Sequence, residues 1–192
     1  RKLAEARAAG GDVWGQVTCR PIVQLISLLT PYSFSTIPAF AEVLAAEPGE
    51  RAAVYRRPAW RQALARDIER PDILQPRWEL IRIAETERHS TLVGRTIADL
   101  AAEHAAPPFD LMIDLALADD LATRFSVTFA NDDEQGVADL LRARGCILGL
   151  SDAGAHSAQI CDAILPTDFL SRWVRDRGLM TIEAGIHKLT GE

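Results

Sequence analysis

The sequence predicts an α/β fold in which helices alternate with parallel strands. Two short apolar runs, residues 123–130 and 146–150, are rich in β-branched, aromatic or aliphatic residues and are bounded by turn residues. Runs of this length and setting are typical of buried parallel strands. One capped helical segment connects them, so we expect a right-handed crossover that makes them adjacent strands, or strands separated by one. Helical segments before and after the two runs support the same fold class.

The first part of the chain predicts a helix followed by a strand. Residues 2–9 are rich in alanine, and Gly10 and Gly11 end the helix that this composition favours. Residues 12–19 alternate apolar and other residues and lead into Pro21, which predicts a strand with a turn at its end.

Residues 22–76 interrupt this pattern and predict an irregular helical insertion. The segment is rich in proline and contains short helical patches at 39–46 and 58–69. Pro58 stands where the first turn of the second patch would begin, a position that suits proline. After the insertion, residues 78–84 alternate apolar and charged side chains and favour a further strand.

The second half is more regular. Thr96 and Asp99 form a weakened capping box at the start of a helix, and residues 109–118 predict a second, apolar helix. Asn131 is the predicted N-cap of the helix that connects the two strands, with Glu134 as its capping-box partner. The last two helices are predicted at residues 165–176 and 181–189, and we find no internal repeat.

Composition excludes several classes of function. Hydrophobic residues make up 48% of the 192 residues and charged residues 25%, so a buried core is expected. The net charge is −6 and lysine and arginine form no basic stripe, which argues against nucleic acid or an anionic membrane as a partner. No apolar run approaches the roughly 20 residues of a membrane span. Glycine-rich phosphate loops and a Gly-x-Ser-x-Gly nucleophile motif are absent from the sequence.

The cysteines and the chain ends lead to two further expectations. Cys19, Cys146 and Cys161 are odd in number and widely spaced, which favours free thiols in a reducing compartment, here the cytoplasm. The chain starts at Arg1 rather than at a methionine and ends directly after a predicted helix. We therefore expect it to be a fragment of a longer protein, called the parent protein below.

The most informative segment is the end of the second apolar run. Residues 146–150 lead directly into Ser151 and Asp152, then a turn of small residues, then His156. A carboxylate is costly to bury unless it is paired, and α/β barrels carry their catalytic residues at the carboxyl ends of strands. Asp152 is therefore a candidate catalytic carboxylate, expected within roughly 10 Å of His156 because only a short turn separates them. The alternative is that Asp152 caps the next helix and His156 is a loop residue.

Three separated segments together form a pattern that resembles one enzyme family. They are Ser-Asp-Ala-Gly-Ala-His at 151–156, Arg-Asp-Arg-Gly-Leu at 175–179 and Lys-Leu-Thr-Gly at 188–191. In this order they resemble the end of D-aminoacylase-type enzymes, the N-acyl-D-amino-acid deacylases of the amidohydrolase superfamily. The usual forms there are Gly-Ser-Asp-Gly followed by a histidine, Arg-Glu-Arg-Gly-Leu and Lys-Met-Thr-Gly. Weaker similarity covers most of the chain and is loosest over residues 25–75.

The resemblance implies a fold. The family has a TIM-like (α/β)8 barrel of metal-dependent hydrolases beside a small β-sandwich, and residues 1–192 would be the C-terminal part of that barrel, with the helical insertion at 22–76. They would carry roughly its sixth to eighth strands. A partial barrel exposes apolar strand edges, so we expect an oligomer or association with the missing part of the barrel.

The resemblance also implies zinc-assisted hydrolysis of a small-molecule amide substrate. Asp152 would be the general base and an occasional metal ligand, and Ser151 would orient its carboxylate. His156 would bind the substrate carboxylate or the tetrahedral oxyanion. Most zinc ligands would lie before Arg1, in the parent protein.

One departure concerns residues 12–21, where the resemblance implies a metal-binding histidine near the end of the sixth strand and this sequence has none. Cys19 is a candidate zinc ligand because thiolates bind zinc well; the alternative is a buried cysteine beside a turn. Arg20 either binds a substrate carboxylate or forms a surface ion pair. The remaining histidines, at 89, 104 and 187, are explained by surface positions.

Two functions therefore remain. One is part of a metal-dependent amidohydrolase that cleaves N-acyl-D-amino acids or similar linear or cyclic amides with activated water. The other is a catalytically inactive α/β module or subunit that keeps the fold and binds a partner. The retained Ser-Asp-x-Gly-x-His segment favours the first for the parent protein, and the missing histidines favour the second for this chain.

Overall fold

The chain has a mixed α/β fold of two compact units. The computed structural model describes residues 2–73, 75–149, 151, 159–160 and 163–191. One unit comprises Arg1–Val23 and Thr128–Glu192, and the other comprises Gln24–Val127. Within the described ranges, no helix is long and apolar enough to cross a membrane.

The helices, in chain order, are α1 (Lys2–Ala8), α2 (Phe40–Ala45), α3 (Arg51–Tyr55), α4 (Pro58–Ile68), α5 (Ile97–His104), α6 (Pro108–Ala118), α7 (Glu134–Arg142), α8 (Leu165–Asp168) and α9 (Ile182–Thr190). A π-helical segment, Phe169–Asp176, directly continues α8. The strands are β1 (Gly15–Val17), β2 (Ile22–Ser27), β3 (Ile81–Glu85), β4 (Arg124–Ala130) and β5 (Cys146–Leu148). Short 3-10 turns lie at Tyr32–Phe34, Pro48–Glu50, Trp78–Leu80 and Ser90–Leu92.

The first sheet is the parallel pair of β1 and β5. Its register runs from Gly15 opposite Cys146 to Val17 opposite Leu148. Two segments that the sequence predicts as strands, residues 12–19 and 146–150, thus contain a parallel pair. Helices α7 and α9 both pack against β5. The core of this unit is formed by Cys19, Val137, Ala138, Leu141, Leu165, Phe169, Trp173 and Val174.

The second sheet has the strand order β2–β4–β3. Strand β4 is antiparallel to β3, with Ile81 opposite Val127 and Ile83 opposite Phe125. The expectation that residues 123–130 and 146–150 are neighbouring strands of one sheet is therefore wrong. The apolar pattern of β4 predicts a strand correctly, but Phe125 is buried against the alternating isoleucines of β3, and periodicity alone does not identify that partner.

Residues 22–76 contain a strand as well as helices. The predicted helical patches at 39–46 and 58–69 are α2 and α4. The first residues of the segment, however, form β2, in keeping with their β-branched content. The prediction of an irregular helical insertion was wrong for residues 22–27, because the prolines that suggested irregular structure begin only at Pro31.

An aromatic cluster forms the centre of the second unit. The ring of Phe40 lies 4.9 Å from Phe34, 5.5 Å from Trp60 and 6.1 Å from Phe109, measured between centroids. Tyr55 packs edge-on against Trp60 at 5.1 Å. Such pairs add roughly 0.5–1.5 kcal/mol each beyond the buried area, so α2, α3, α4 and α6 are held together by their aromatic residues.

The N-cap of α7 is Asp133, not Asn131 as the sequence suggested. The Asp133 carboxylate accepts hydrogen bonds from the backbone N–H groups of Gln135 and Gly136, both at 3.1 Å. Asn131 instead adopts a left-handed backbone with φ of 59°, a conformation that asparagine tolerates better than most residues. This turn moves the helix start two residues along the chain.

A buried carboxylate joins two loops of the second unit. Asp119 is 3% exposed and accepts hydrogen bonds from the hydroxyls of Thr123 at 2.7 Å and Thr86 at 2.9 Å. The backbone N–H groups of Glu87 and Arg88 donate to it at 3.2 and 3.1 Å. Burial alone would raise the pKa of Asp119, but these hydrogen bonds outweigh it and hold the pKa below its usual value. The ionised group therefore fixes the loop after β3 to the turn before β4.

We expect Asp119→Asn to destabilise the chain by about 1–3 kcal/mol at pH 7, because the amide cannot accept all four hydrogen bonds. Since the folded-state pKa is lowered, the contribution of Asp119 is present above its unfolded-state pKa of about 3.9 and is lost as the pH falls through the folded-state value. Urea unfolding at pH 7 and pH 3 measures both effects. The neighbouring exposed Asp120→Asn is the control and should stay within about 0.5 kcal/mol of wild type. A difference between Asp119→Asn and wild type that does not shrink at pH 3 would contradict this role.

Candidate functional site

The carboxyl edge of the β1–β5 pair is the candidate functional site. Because the strands are parallel, both end at this edge, β1 before Thr18 and β5 before Gly149. The backbone N–H of Gly149 donates to the carbonyl of Val17 at 3.0 Å, which carries the pairing one residue further. Ser151 follows two residues later and is half-buried. Asp152 and His156, the two residues on which the predicted chemistry depends, lie outside the described residues. The expected short distance between them therefore stays a prediction.

An asparagine that the sequence suggested only as a helix cap reaches this edge. The side-chain amide of Asn131 donates a hydrogen bond to the carbonyl of Thr18 at 3.4 Å. Its left-handed backbone, directly after the end of β4, turns the chain so that this contact forms. Asparagine after an apolar strand is a signal for such a turn, but the acidic residues that follow made helix capping the simpler interpretation.

Cys19 lies beneath α8 at the same edge and is 1% exposed. Its thiol donates to the carbonyl of Leu165, with 3.6 Å between Sγ and the oxygen, and Sγ lies 3.8 Å from a carboxylate oxygen of Asp168. The indole N–H of Trp173 donates to the carbonyl of Cys19 at 2.7 Å. The side chain of Cys19 thus contacts α8, and its backbone carbonyl is bonded to the π-helical segment that continues α8.

The surroundings of Cys19 keep its thiol protonated. Burial, and then the negative charge of Asp168, raise the pKa of Cys19 to about 12. A zinc ligand must be a thiolate, so ligation by Cys19 would require loss of its proton beside Asp168. Among the residues that the structure describes, no three or more His, Cys, Asp or Glu side chains are grouped to hold a metal. Arg20, the other candidate after β1, is half-buried and is not part of such a group.

Two of the three family-like segments lie within the described residues, and their contacts support the strand pair. Arg177, in the segment 175–179, forms an ion pair with Glu134 at 2.6 Å, and Arg172 binds the same carboxylate. Both guanidinium groups lie over the ring of Trp173, at 5.1 and 5.4 Å from its centroid. These two arginines lower the pKa of Glu134, so the ion pairs persist at neutral pH. The segment thus fixes the indole that holds Cys19.

The third segment supports β5 from its other end. Lys188 is 6% exposed, and its ammonium group donates to the carbonyl of Cys146 at 2.8 Å. Cys146 is the first residue of β5. A buried lysine is costly without partners, so this bond to the strand accounts for its position. The sequence suggested only a surface helix here, because the periodicity of a helix does not show which of its polar residues is buried.

Comparison with known proteins gives two solved structures. No protein-family model matches the chain, and no curated protein is significantly similar to it. One structure is an N-acyl-D-glutamate deacylase from Bordetella bronchiseptica, in complex with zinc and a phosphonate inhibitor that mimics the tetrahedral intermediate. It has 22% sequence identity and a TM-score of 0.44 over 98% of this chain and 30% of its own. The other is a D-aminoacylase with a binuclear metal centre, at 18% identity and a TM-score of 0.43 over 99% of this chain and 30% of its own.

The chain therefore spans about 30% of the length of these two proteins. Both are deacylases of the kind that the sequence motifs resemble.

We expect Cys19 to resist alkylation in the folded chain. With a pKa of about 12, only about one thiol in ten thousand is ionised at pH 8, and the group is buried as well. Treatment with iodoacetamide at pH 8, followed by peptide mass spectrometry, should leave Cys19 unmodified under native conditions and modify it fully in concentrated urea. Alkylation at equal rates in both conditions would show that the thiol is exposed and reactive.

Proposed function

We propose that this chain is the C-terminal part of the catalytic barrel of a metal-dependent amidohydrolase that deacylates N-acyl-D-amino acids or similar linear or cyclic amides. The observation that carries the proposal is the ordered set of three motif segments, at 151–156, 175–179 and 188–191. The first of these directly follows β5, one strand of a parallel pair. In TIM-like barrels this carboxyl edge is where catalytic groups lie.

Within the proposed barrel, β1 and β5 belong to the barrel wall. Their parallel pairing and the helices packed against β5 are what a barrel segment requires. We propose that the rest of the parent protein supplies the other strands of the barrel wall and the surface that covers the edges of this pair. We place the parent protein in the cytoplasm.

In the proposed reaction Asp152 is the general base. Its carboxylate accepts a proton from the water molecule whose oxygen attacks the amide carbonyl carbon. The same group then returns the proton to the amine nitrogen as the carbon–nitrogen bond breaks, which gives a carboxylic acid and a free amine. A positioned acid–base group of this kind contributes about 10²–10⁴-fold to the rate.

The neighbouring residues have supporting roles in this proposal. Ser151 orients the Asp152 carboxylate, and His156 binds the substrate carboxylate or the oxyanion of the tetrahedral intermediate. Arg20 follows the other strand of the pair and offers a planar fork of donors for a substrate carboxylate. Asn131 joins them because its amide already reaches the Thr18 carbonyl at the same edge.

We assign zinc to the parent protein, where the metal would lower the pKa of its bound water. Most of its ligands come from outside the described residues of this chain. Asp152 is the candidate ligand from this chain. Cys19 is a weaker one, since the pKa of its thiol is raised to about 12.

We expect Asp152→Asn to reduce kcat of the parent protein about 10²–10⁴-fold, because the amide keeps the size of the side chain and cannot accept the proton. The measurement is amine release from N-acetyl-D-amino acids with varied side chains, in zinc-supplemented buffer. Asp139→Asn is the matched control: Asp139 is exposed on α7, where its carboxylate binds Gln135, and its loss should leave kcat unchanged. Wild-type activity of Asp152→Asn would make Asp152 a structural cap.

We also expect the 192-residue chain alone to show little or no deacylase activity with zinc, because its sequence offers too few plausible zinc ligands, with no His-x-His or Cys-x-x-Cys motif. The same assay measures this, with the parent protein as the positive control. Robust turnover by the isolated chain would place the metal site within it, with Asp152, His156 and Cys19 as the ligands to substitute first. A parent protein that binds no zinc and hydrolyses none of these amides would favour the inactive module instead.

A further inference from the structure

A cleft of about 1170 Å³ opens at the amino ends of β1 and β5. It lies between α1, the start of both strands and the end of α9, entirely within the unit that contains the β1–β5 pair. Its volume is slightly above the roughly 300–1,000 Å³ of pockets that bind small organic molecules.

The charged side chains of the cleft are all basic. They are Arg7 and Arg144; His187 also lines the cleft, and none of its lining residues in the described ranges is an aspartate or a glutamate. Arg144 is exposed, and neither it nor Arg7 has a carboxylate partner among those residues. In a chain with a net charge of −6, such a concentration of unpaired positive charge attracts an anion.

Arg7 is held in place without an anion. Its guanidinium carbon lies 4.4 Å from the ring centroid of Trp14. On its other side, the guanidinium of Arg7 packs against Gly145. A Cβ atom added at Gly145 would lie only 1.9 Å from Nη1 of Arg7, so a larger residue there would displace the guanidinium. Gly145 has φ of 80°, which favours glycine at this position in any case. The guanidinium is thus positioned by an aromatic ring and a glycine, and its hydrogen-bond donors remain available.

Apart from Gln16, the other side chains that line the cleft are apolar. Leu3, Val17 and Leu140 contribute aliphatic surface, and Trp14 is 43% exposed although it is a large aromatic residue. The acid closest to this ring in the chain, Asp12, accepts a hydrogen bond from the Trp14 indole at 3.0 Å and does not line the cleft. Basic donors beside apolar walls suit a ligand with a negative head group and an apolar body.

We infer that this cleft binds a small amphipathic organic anion, a carboxylate or a phosphate monoester with an aliphatic or aromatic body. Arg7 and Arg144 bind the head group, and Trp14 with the aliphatic residues contacts the body. The inference does not depend on the deacylase proposal, because Arg7, Trp14 and Arg144 precede the amino ends of the two strands and no residue that lines the cleft belongs to the set assigned to the reaction.

Arginine footprinting of the parent protein tests this inference. Phenylglyoxal modifies accessible guanidinium groups, and peptide mass spectrometry gives the rate at each arginine. We expect saturating octanoate or octyl phosphate to slow modification of Arg7 and Arg144 at least about five-fold, the effect of burying a guanidinium against an anion. The exposed Arg66, which lies on α4, is the internal control and should react at an unchanged rate. Octylamine, with the same body and a positive charge, should give no protection.

Two variants make the test specific. Arg7→Gln should raise the octanoate concentration that protects Arg144 by about ten-fold, as loss of one charge-assisted hydrogen bond does. Arg66→Gln should leave it unchanged. If Arg7→Gln fails to fold, Arg144→Gln with Arg7 as the reporter gives the same comparison.

Four outcomes would overturn the inference. Octanoate could leave the rate of Arg144 modification unchanged, or it could slow the modification of Arg66 equally. Inorganic phosphate could protect Arg144 as well as octanoate does, or Arg144 could already be unreactive because another part of the parent protein covers the cleft.

Discussion

The hydrogen bond from the Trp173 indole to the carbonyl of Cys19 is the contact on which the candidate site depends. It joins the end of β1 to the π-helical segment across 154 residues of chain and is fully buried. Arg172 and Arg177 flank the indole and are themselves anchored to Glu134 at the start of α7. If the indole moved, the carbonyl of Cys19 would lose its buried donor, and the edge from which Thr18 and Arg20 project would lose its support.

Residues of the family-like motifs need not take part in the proposed reaction. Arg177 positions an indole and Lys188 binds the first carbonyl of β5, so both act on the strand pair rather than on a substrate. The two segments bracket β5: one secures the helix that packs beneath the carboxyl edge, and the other secures the amino end. A sequence pattern of this kind is explained by the need to fix the strand that carries Ser151, whatever reaction follows.

Local features of the fold were predictable from the sequence, and long-range ones were not. The caps, glycines and prolines that begin and end α4, α5 and α9 act over a few residues, so the sequence contains their whole cause. The antiparallel partner of β4 depends on burial of Phe125 against Ile83, which are 42 positions apart, and the role of Asn131 depends on one backbone dihedral angle. The thiol of Cys19 is a further example: the affinity of thiolates for zinc and the burial of cysteine predict opposite roles, and the burial and the nearby Asp168 that raise its pKa come from residues far apart in the sequence.

The register of β1 against β5 couples the two edges of the pair. Gly15 pairs with Cys146 at one end, where the Gly15 N–H also donates to Gly145 at 2.8 Å, and Val17 pairs with Leu148 at the other. A slip of one residue would turn every side chain of β1 to the opposite face and would break the hydrogen bond from Gly15 to Gly145, the glycine against which Arg7 packs. The basic cleft and the carboxyl edge are therefore fixed by the same few backbone hydrogen bonds. Small residues at Gly15 and Gly145 keep that register, because a Cβ at Gly15 would lie 3.3 Å from the Cys146 sulfur and one at Gly145 would displace the Arg7 guanidinium.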